Sequence, residues 1–214
     1  MDERADAVVL FGVTGDLAAK KLIPALYELT RRGRLDLPVI GVARSAWDHE
    51  HLIKTVRKAV VEAVDVVDEA AFDALAARMT MISGGYGDAE TYARLASTLS
   101  GTTRPLFYLA IPPTVFTDVV DGLKTAGLAD RGRVIVEKPF GHDLASSQSL
   151  AVTLNAAFDP ARIFRIDHYL GKEAVEGIMA VRFGNRLLEP IWSREHIDNV
   201  QITLAEQFGT QGRA

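Results

Sequence analysis

The feature that most constrains this chain is a regular alternation of short apolar, β-branched runs with longer amphipathic segments. Strands that alternate with helices are typical of a parallel sheet covered by helices on both faces. We therefore expect an α/β fold with a doubly wound, mostly parallel sheet. The predicted strands are 7–11, 38–43, 79–82, 106–111 and 133–137, and the apolar run 163–166 leads into a polar cluster. The predicted helices are 15–32, two within 51–79 separated near 64–68, one that ends at about 126, 144–158 and 173–182.

The last part of the chain departs from this pattern. Residues 200–206 alternate like a half-exposed strand, and no helical segment follows them. We expect this segment to be the first strand of a second, α+β domain. The predicted organisation is a Rossmann-type domain over residues 1–190 and the start of the second domain over residues 191–214.

Composition excludes several classes of function. The chain has 24 basic and 28 acidic residues and a formal charge of −4, which gives no electrostatic reason to expect nucleic acid or an anionic membrane as a partner. It has no cysteine, and no spacing of histidine and carboxylate residues suggests a metal site. No apolar stretch approaches the roughly 18 residues of a membrane span, and the first residues lack the basic flank of a signal peptide. We expect a cytoplasmic globular protein.

The first predicted strand runs directly into a glycine turn and a helix. Glycines at such a turn let the backbone approach a ligand closely, and the helix N–H groups attract a pyrophosphate. The turn lacks the Gly-Lys-Ser/Thr of a P-loop and the full Gly-x-Gly-x-x-Gly pattern. It favours a dinucleotide site, but a plain tight turn with Asp16 as the helix cap is equally open. The candidate cofactor-binding residues of the turn are Gly12, Val13, Thr14, Gly15, Asp16 and Leu17.

Basic residues follow two other predicted strands. Arg44 ends the second strand, where a guanidinium suits a ribose 2′-phosphate and so favours NADP over NAD. The alternative is a solvated surface arginine. Lys138 follows the strand 133–137, at the edge where open α/β sheets bind ligands, and can contact a substrate oxygen beside a nicotinamide. The alternative there is a plain Lys-Pro turn.

The densest set of reactive side chains lies in residues 165–173. His168, Tyr169 and Lys172 can all donate hydrogen bonds to a phosphate at a helix start, with help from the helix dipole. Asp167 can orient a histidine elsewhere in the fold. Each residue alone has a structural explanation, such as a helix cap at Asp167 or a solvated Lys172. Their combination favours a phosphate site.

Taken in order, these motifs resemble the glucose-6-phosphate dehydrogenase family. The matching segments are GVTGDLAAKKLIPALYEL, GVARS, LFYLAIPPTVF, VIVEKPFGHDLASS, RIDHYLGKE, RFGNRLLEPIWSREHIDNVQIT and EQFGTQGRA, which cover essentially the whole chain. The resemblance implies oxidation of glucose 6-phosphate at C1 to the 6-phosphogluconolactone, with hydride transfer to NADP, as the first step of the pentose phosphate pathway. It also implies a homo-oligomer, and it leaves NAD as a weaker alternative cofactor.

The resemblance also implies a role for each candidate residue. The turn 12–17 would hold the pyrophosphate and Arg44 the 2′-phosphate, while Phe116 stands beside the cofactor where the family often has a tyrosine. Lys138 would contact both the substrate and the cofactor. His168, Tyr169 and Lys172 would bind the sugar phosphate, and Glu206 would hydrogen-bond the sugar hydroxyls.

One departure from the family concerns the catalytic base. The family's base is a histidine in a segment beyond the motif that ends at residue 214, and none of the five histidines here lies in a segment that matches the one carrying that base. Asp167 would orient that histidine. We therefore expect these 214 residues alone to turn over slowly or not at all.

Two other functions remain open from the residues. One is a non-catalytic NADP-binding or assembly module. The other is a different Rossmann NADP oxidoreductase with a Glu-Lys-Pro turn, of the glucose–fructose oxidoreductase type, which does not explain the RIDHYLGKE segment.

Overall fold

A computed structural model describes residues 4–167 and 169–203. Two compact units make up the chain, and the division between them falls after Ile166. The first unit contains six strands: β1 Ala7–Phe11, β2 Val39–Ala43, β3 Met79–Ser83, β4 Pro105–Leu109, β5 Arg133–Glu137 and β6 Ile163–Ile166. Its α-helices are α1 Ile23–Arg31, α2 His49–Ala63, α3 Glu69–Ala76, α4 Ala89–Thr98, α5 Phe116–Thr125 and α6 Leu144–Ala157.

All six strands pair in parallel, in the order β3-β2-β1-β4-β5-β6. In this doubly wound order, β2 and β3 are added on one side of β1, and β4, β5 and β6 are added on the other side. The predicted fold class, an α/β Rossmann-type sheet, is confirmed. The carboxyl ends of β1 and β4 therefore lie side by side, where ligands bind in such sheets.

The sheet has a hydrophobic core on each face, because successive side chains of a strand point to opposite faces. In β1, Val9 and Phe11 belong to the core formed with α4, α5 and α6, whereas Leu10 belongs to the core formed with α1, α2 and α3. The first core also contains Phe107 and Leu123, both fully buried. These two cores hold the strand ends in fixed positions.

The helix predicted over 15–32 consists of two parts. A π-helical stretch, Ala18–Leu22, follows the glycine turn and leads into α1. Gly33 ends α1 in the left-handed conformation with φ +64°, which a C-terminal glycine provides. Two short 3-10 turns, Pro113–Val115 and Pro160–Arg162, precede α5 and β6.

Helix α4 is an addition to the predicted elements. Its buried residues, Thr91, Tyr92 and Leu95, lie on one side of the helix at helical spacing. The amphipathic pattern was therefore present in the sequence, and Tyr92 and Leu95 pack in the first core.

The second unit contains α7, Glu173–Phe183, followed by turns. The expected strand at 200–206 is not seen in its described part. A strand is defined by hydrogen bonds to a neighbouring strand, and described residues 200–203 make no such pairing. Residues 204–206 lie outside the described part of the chain.

None of the helices among the described residues is both long enough and apolar enough to span a membrane.

Candidate functional site

The glycine turn after β1 is shaped by a close approach of two chain segments. Gly12 has φ +81°, and a Cβ at this position would lie 2.2 Å from the carbonyl oxygen of Ala110, which follows β4. The Gly12 amide donates a hydrogen bond to the Val42 carbonyl at 2.8 Å, and the Gly15 amide donates to the Gly12 carbonyl at 2.9 Å. Only glycine fits at position 12, because both the backbone angle and the space exclude a side chain.

The other turn residues have different surroundings. Val13 is buried, and a Cβ on Gly41 would lie 2.9 Å from its side chain. Leu17 is half-buried, whereas Asp16 is exposed and accepts a hydrogen bond from Lys20 at 2.9 Å. The buried Val13 side chain therefore anchors the turn against β2, whereas Asp16 faces solvent.

A cavity of about 520 Å³ opens at the carboxyl ends of β1, β2 and β4. We call it the β1–β2 cavity. Its lining residues are Gly12, Thr14, Gly15, Arg44, Ser45, Tyr86, Ala110, Ile111, Pro112, Thr114 and Val115. It combines glycine backbone, hydroxyl groups and one guanidinium, which are donors suited to a phosphorylated nucleotide.

The hydroxyls and the guanidinium converge from separate strands. Ser45 donates to the Thr14 hydroxyl at 3.5 Å, which links the end of β2 to the turn after β1. Arg44 is exposed beside them. Burial raises the pKa of the Tyr86 phenol, and the nearby Arg44 charge and the Gly12 amide partly oppose that rise. A neutral phenol and a cation therefore border the same cavity.

A second cavity, of about 210 Å³, lies at the ends of β4 and β5. We call it the β4–β5 cavity. Its lining residues are Leu17, Leu109, Ala110, Ile111, Pro112, Pro113, Phe116, Glu137, Lys138 and Pro139. Three of these, Ala110–Pro112, also line the β1–β2 cavity. The two cavities therefore adjoin along one edge of the sheet.

The β4–β5 cavity has an apolar wall and a charged end. Leu17 and Phe116 supply the apolar wall, and Phe116 is almost fully buried at the start of α5. Glu137 and Lys138 supply the charges, and the Lys138–Pro139 peptide bond is cis. The apolar wall suits the face of a flat ring, and the charged residues suit a polar group that reacts beside that ring.

The cofactor candidates are therefore brought together in the first unit, with the exception of Val13 and Asp16, which line neither cavity. Sequence reasoning missed several residues of this edge, among them Ser45, Tyr86 and Glu137. Each of these three lies at or just after the end of a strand, as Arg44 and Lys138 do, so strand position was the signal that could have found them.

In the second unit, the described candidates cluster at the start of α7. Asp167 is half-buried and accepts a hydrogen bond from the Tyr169 amide at 3.0 Å. The Lys172 ammonium lies 5.3 Å from the centre of the Tyr169 ring. His168 and Glu206 lie outside the described residues.

Lys172 occupies the N-cap of α7, where no side chain caps the helix. A cation at the positive end of a helix dipole is unfavourable by itself, although Glu173 and Glu176 in the first turn offset part of this cost. An anion bound there would satisfy both the ammonium and free helix N–H groups. Among the described residues, no group of histidine and carboxylate side chains could hold a metal ion.

Two family models match the chain. "Glucose-6-phosphate dehydrogenase, NAD binding domain" matches residues 9–177, and "Glucose-6-phosphate dehydrogenase, C-terminal domain" matches residues 179–214.

Curated relatives and solved structures agree with these models. Glucose-6-phosphate 1-dehydrogenase 2 of Mycobacterium tuberculosis is 45% identical over 97% of the chain and 43% of its own length. Glucose-6-phosphate 1-dehydrogenase 6, cytoplasmic, of Arabidopsis thaliana is 38% identical over 97% of the chain and 44% of its own length.

The glucose-6-phosphate 1-dehydrogenase structure from Mycobacterium avium has a TM-score of 0.89 at 42% identity, over 98% of this chain and 47% of that one. A glucose-6-phosphate dehydrogenase structure in complex with its substrate glucose-6-phosphate also has a TM-score of 0.89, at 38% identity, over 100% of this chain and 47% of that one. The chain thus spans about half the length of the relatives it matches.

Proposed function

Because the chain belongs to the glucose-6-phosphate dehydrogenase family, we propose that it forms the nucleotide-binding part of an enzyme that oxidises glucose 6-phosphate. The reaction would transfer hydride from C1 of the sugar to NADP and form 6-phosphogluconolactone. The observation that supports this most is the pair of adjoining cavities at the β1–β4 switch point, one beside Arg44 and the other beside Lys138. Both lie along the carboxyl edge of the sheet and share Ala110, Ile111 and Pro112, so one extended ligand could contact both.

The cofactor would extend across both cavities. Its pyrophosphate would meet the N–H groups of the turn 12–17, since glycines there leave the backbone open to a ligand. The β1–β2 cavity would hold the adenosine half. Its nicotinamide ring, which supplies the hydride acceptor when bound, would lie between Leu17 and Phe116 in the β4–β5 cavity.

We propose NADP as the preferred cofactor, with NAD as a weaker one. Arg44 can pair with a 2′-phosphate through two charge-assisted hydrogen bonds, and the Thr14 and Ser45 hydroxyls are close enough to each other to add to the same site. No carboxylate is found among the residues that line this cavity, so a plain ribose hydroxyl would lack its usual partner.

Substrate binding would use Lys138 and the start of α7. Tyr169 and Lys172 would bind the sugar phosphate together with His168, and Glu206 would hydrogen-bond the sugar hydroxyls. Phosphate binding remote from C1 would raise the rate by positioning the reacting carbon. Asp167 would orient a base histidine that the family resemblance puts beyond residue 214.

Further proposals follow from the same membership. We propose domains 1–190 and 191–214, a homo-oligomer for the complete protein, and a cytoplasmic location. The last is supported by the name of the Arabidopsis thaliana relative, which includes the word cytoplasmic.

The test is an assay of the protein expressed from its complete reading frame. NADPH absorbance should rise with glucose 6-phosphate and NADP, and much less with glucose or with NAD. Loss of the activity in Lys138→Ala, with folding retained by circular dichroism, would support the site. Equal rates with unphosphorylated glucose would contradict the proposed substrate.

A further inference from the structure

The charged end of the β4–β5 cavity contains a hydrogen-bonded pair that none of the roles above uses. The hydroxyl of Tyr108, in β4, donates to the carboxylate oxygen Oε1 of Glu137, the last residue of β5. Glu137 lines the cavity beside Lys138. The pair therefore holds a carboxylate in the lining of this cavity.

Strand register explains why these two side chains meet. Tyr108 pairs with Ile135, and Ile135 and Glu137 point to the same face of the sheet because they are two residues apart. A diagonal neighbour in adjacent strands is within reach of a long side chain. The contact follows from the pairing of two rigid strands, so the carboxylate has little freedom to move.

Tyr108 is a hydrogen-bond donor at all ordinary pH values. Burial, together with its hydrogen bond to the carboxylate, raises the pKa of its phenol well above the ordinary value. A protonated phenol can orient one oxygen of Glu137, a residue that lines the cavity.

We propose that Glu137, held by Tyr108, makes the β4–β5 cavity favour the oxidised form of a nicotinamide cofactor over the reduced form. The oxidised ring has a positive charge and the reduced ring is neutral, so a fixed carboxylate attracts only the former. The ammonium of Lys138 acts in the opposite sense, and its proposed contact with a sugar oxygen directs it toward substrate. The inference rests on the proposed nicotinamide site.

This preference has a functional consequence. Hydride transfer removes the ring's positive charge and with it the attraction to Glu137. The reduced cofactor formed in the reaction would then dissociate more readily than the oxidised cofactor from which it is made. Tyr108 would be a positioning residue that acts through the carboxylate.

The test is the ratio of two dissociation constants measured on the chain itself. NADP and NADPH are titrated by calorimetry into the wild type, Glu137→Gln and Tyr108→Phe. Glu137→Gln keeps the size of the side chain, and we expect it to reduce the preference for NADP over NADPH by about three- to tenfold. Tyr108→Phe should change the ratio in the same direction by a smaller factor.

Two control variants separate this effect from general damage. Glu62→Gln removes an exposed carboxylate at the end of α2 that lines neither cavity. Tyr27→Phe removes a buried phenol that accepts a hydrogen bond from the Asp68 amide at 2.7 Å. Both should leave the NADP to NADPH ratio unchanged, whatever they do to stability.

The outcomes distinguish the inference from the proposed function. If NADP and NADPH bind the wild type but Glu137→Gln alters both affinities by the same factor, the inference is wrong and the cofactor site stands. If neither nucleotide binds the wild type, the proposed cofactor site and the inference both fail. A reduced preference in Glu137→Gln and Tyr108→Phe, absent from the controls, supports the inference.

Discussion

The two units of the chain differ in how they support their candidate residues. In the first unit, the cavities lie at the ends of strands that contribute buried side chains to the two hydrophobic cores of the sheet. In the second unit, no described residue is buried, and α7 exposes Ile178, Met179, Val181 and Phe183. Sites on rigid, packed elements are precise. We therefore expect cofactor binding to be a property of the first unit by itself.

The largest expected effect tests this difference in packing. Leu123 in α5 is fully buried, so Leu123→Ala should lower the free energy of unfolding by about 3 kcal/mol through lost burial and a cavity. Met179→Ala, in α7, removes an exposed side chain and should cost less than about 0.5 kcal/mol. Urea unfolding followed by circular dichroism measures both. Similar losses in the two variants would mean that the second unit has a core of its own.

A smaller effect tests the chemistry of the first unit. Arg44→Ala should weaken NADP binding by about 2 kcal/mol, roughly 30-fold, because it removes charge-assisted hydrogen bonds to the 2′-phosphate. NAD binding should change little, because NAD lacks that phosphate. Titration calorimetry gives both values.

A matched variant controls for loss of surface charge. Arg34→Ala removes an exposed arginine after α1 that lines neither cavity, and its effect on both nucleotides should be small. An equal loss of NADP and NAD affinity in Arg44→Ala would show that Arg44 is an ordinary surface charge.

The fold and many lining residues of the two cavities could be predicted from the sequence because both depend on local signals. The glycines at 12 and 15 directly follow the apolar run of β1, and Arg44 directly follows the apolar run of β2. Their roles can be inferred without knowledge of the sheet order.

Contacts between distant segments could not be predicted in this way. Tyr108 meets Glu137 only because β4 and β5 are adjacent and in a particular register. Tyr86 borders the β1–β2 cavity only because β3 ends at the same sheet edge as β1. Helix α4 is a different case, because the helical spacing of Thr91, Tyr92 and Leu95 could have identified it from the sequence.

The smallest effects are expected from substitutions at the N-caps of α6 and α7, which differ in their capping residue. Asp143 caps α6 in a reciprocal arrangement with Ser146, whereas α7 begins at Lys172 with no side-chain cap. Asp143→Ala should lower Tm by a few degrees, because it leaves helix N–H groups without a partner. Lys172→Asp should instead raise the helix content of α7 slightly while weakening binding of inorganic phosphate. Circular dichroism and phosphate titration measure these changes.

The cap at α6 also has a predictable pH dependence. Hydrogen bonds from the Ser146 hydroxyl and amide lower the pKa of Asp143 below its ordinary value of 3.8. A carboxylate with a lowered pKa in the folded state stabilises the fold above pH 4, and this contribution is lost as the pH falls through the folded pKa. The wild type and Asp143→Ala should therefore converge in Tm at low pH. A constant difference down to pH 2 would contradict the role of the carboxylate.

Amide hydrogen exchange of the chain with and without NADP tests the central claim most directly. If the nucleotide lies along the carboxyl edge of the first unit's sheet, NADP should slow exchange at residues 12–17, 43–45, 110–116 and 137–140. Residues 173–183 of α7 should exchange at unchanged rates. Protection confined to residues 169–203, or no protection at residues 12–17 under saturating NADP, would contradict the account.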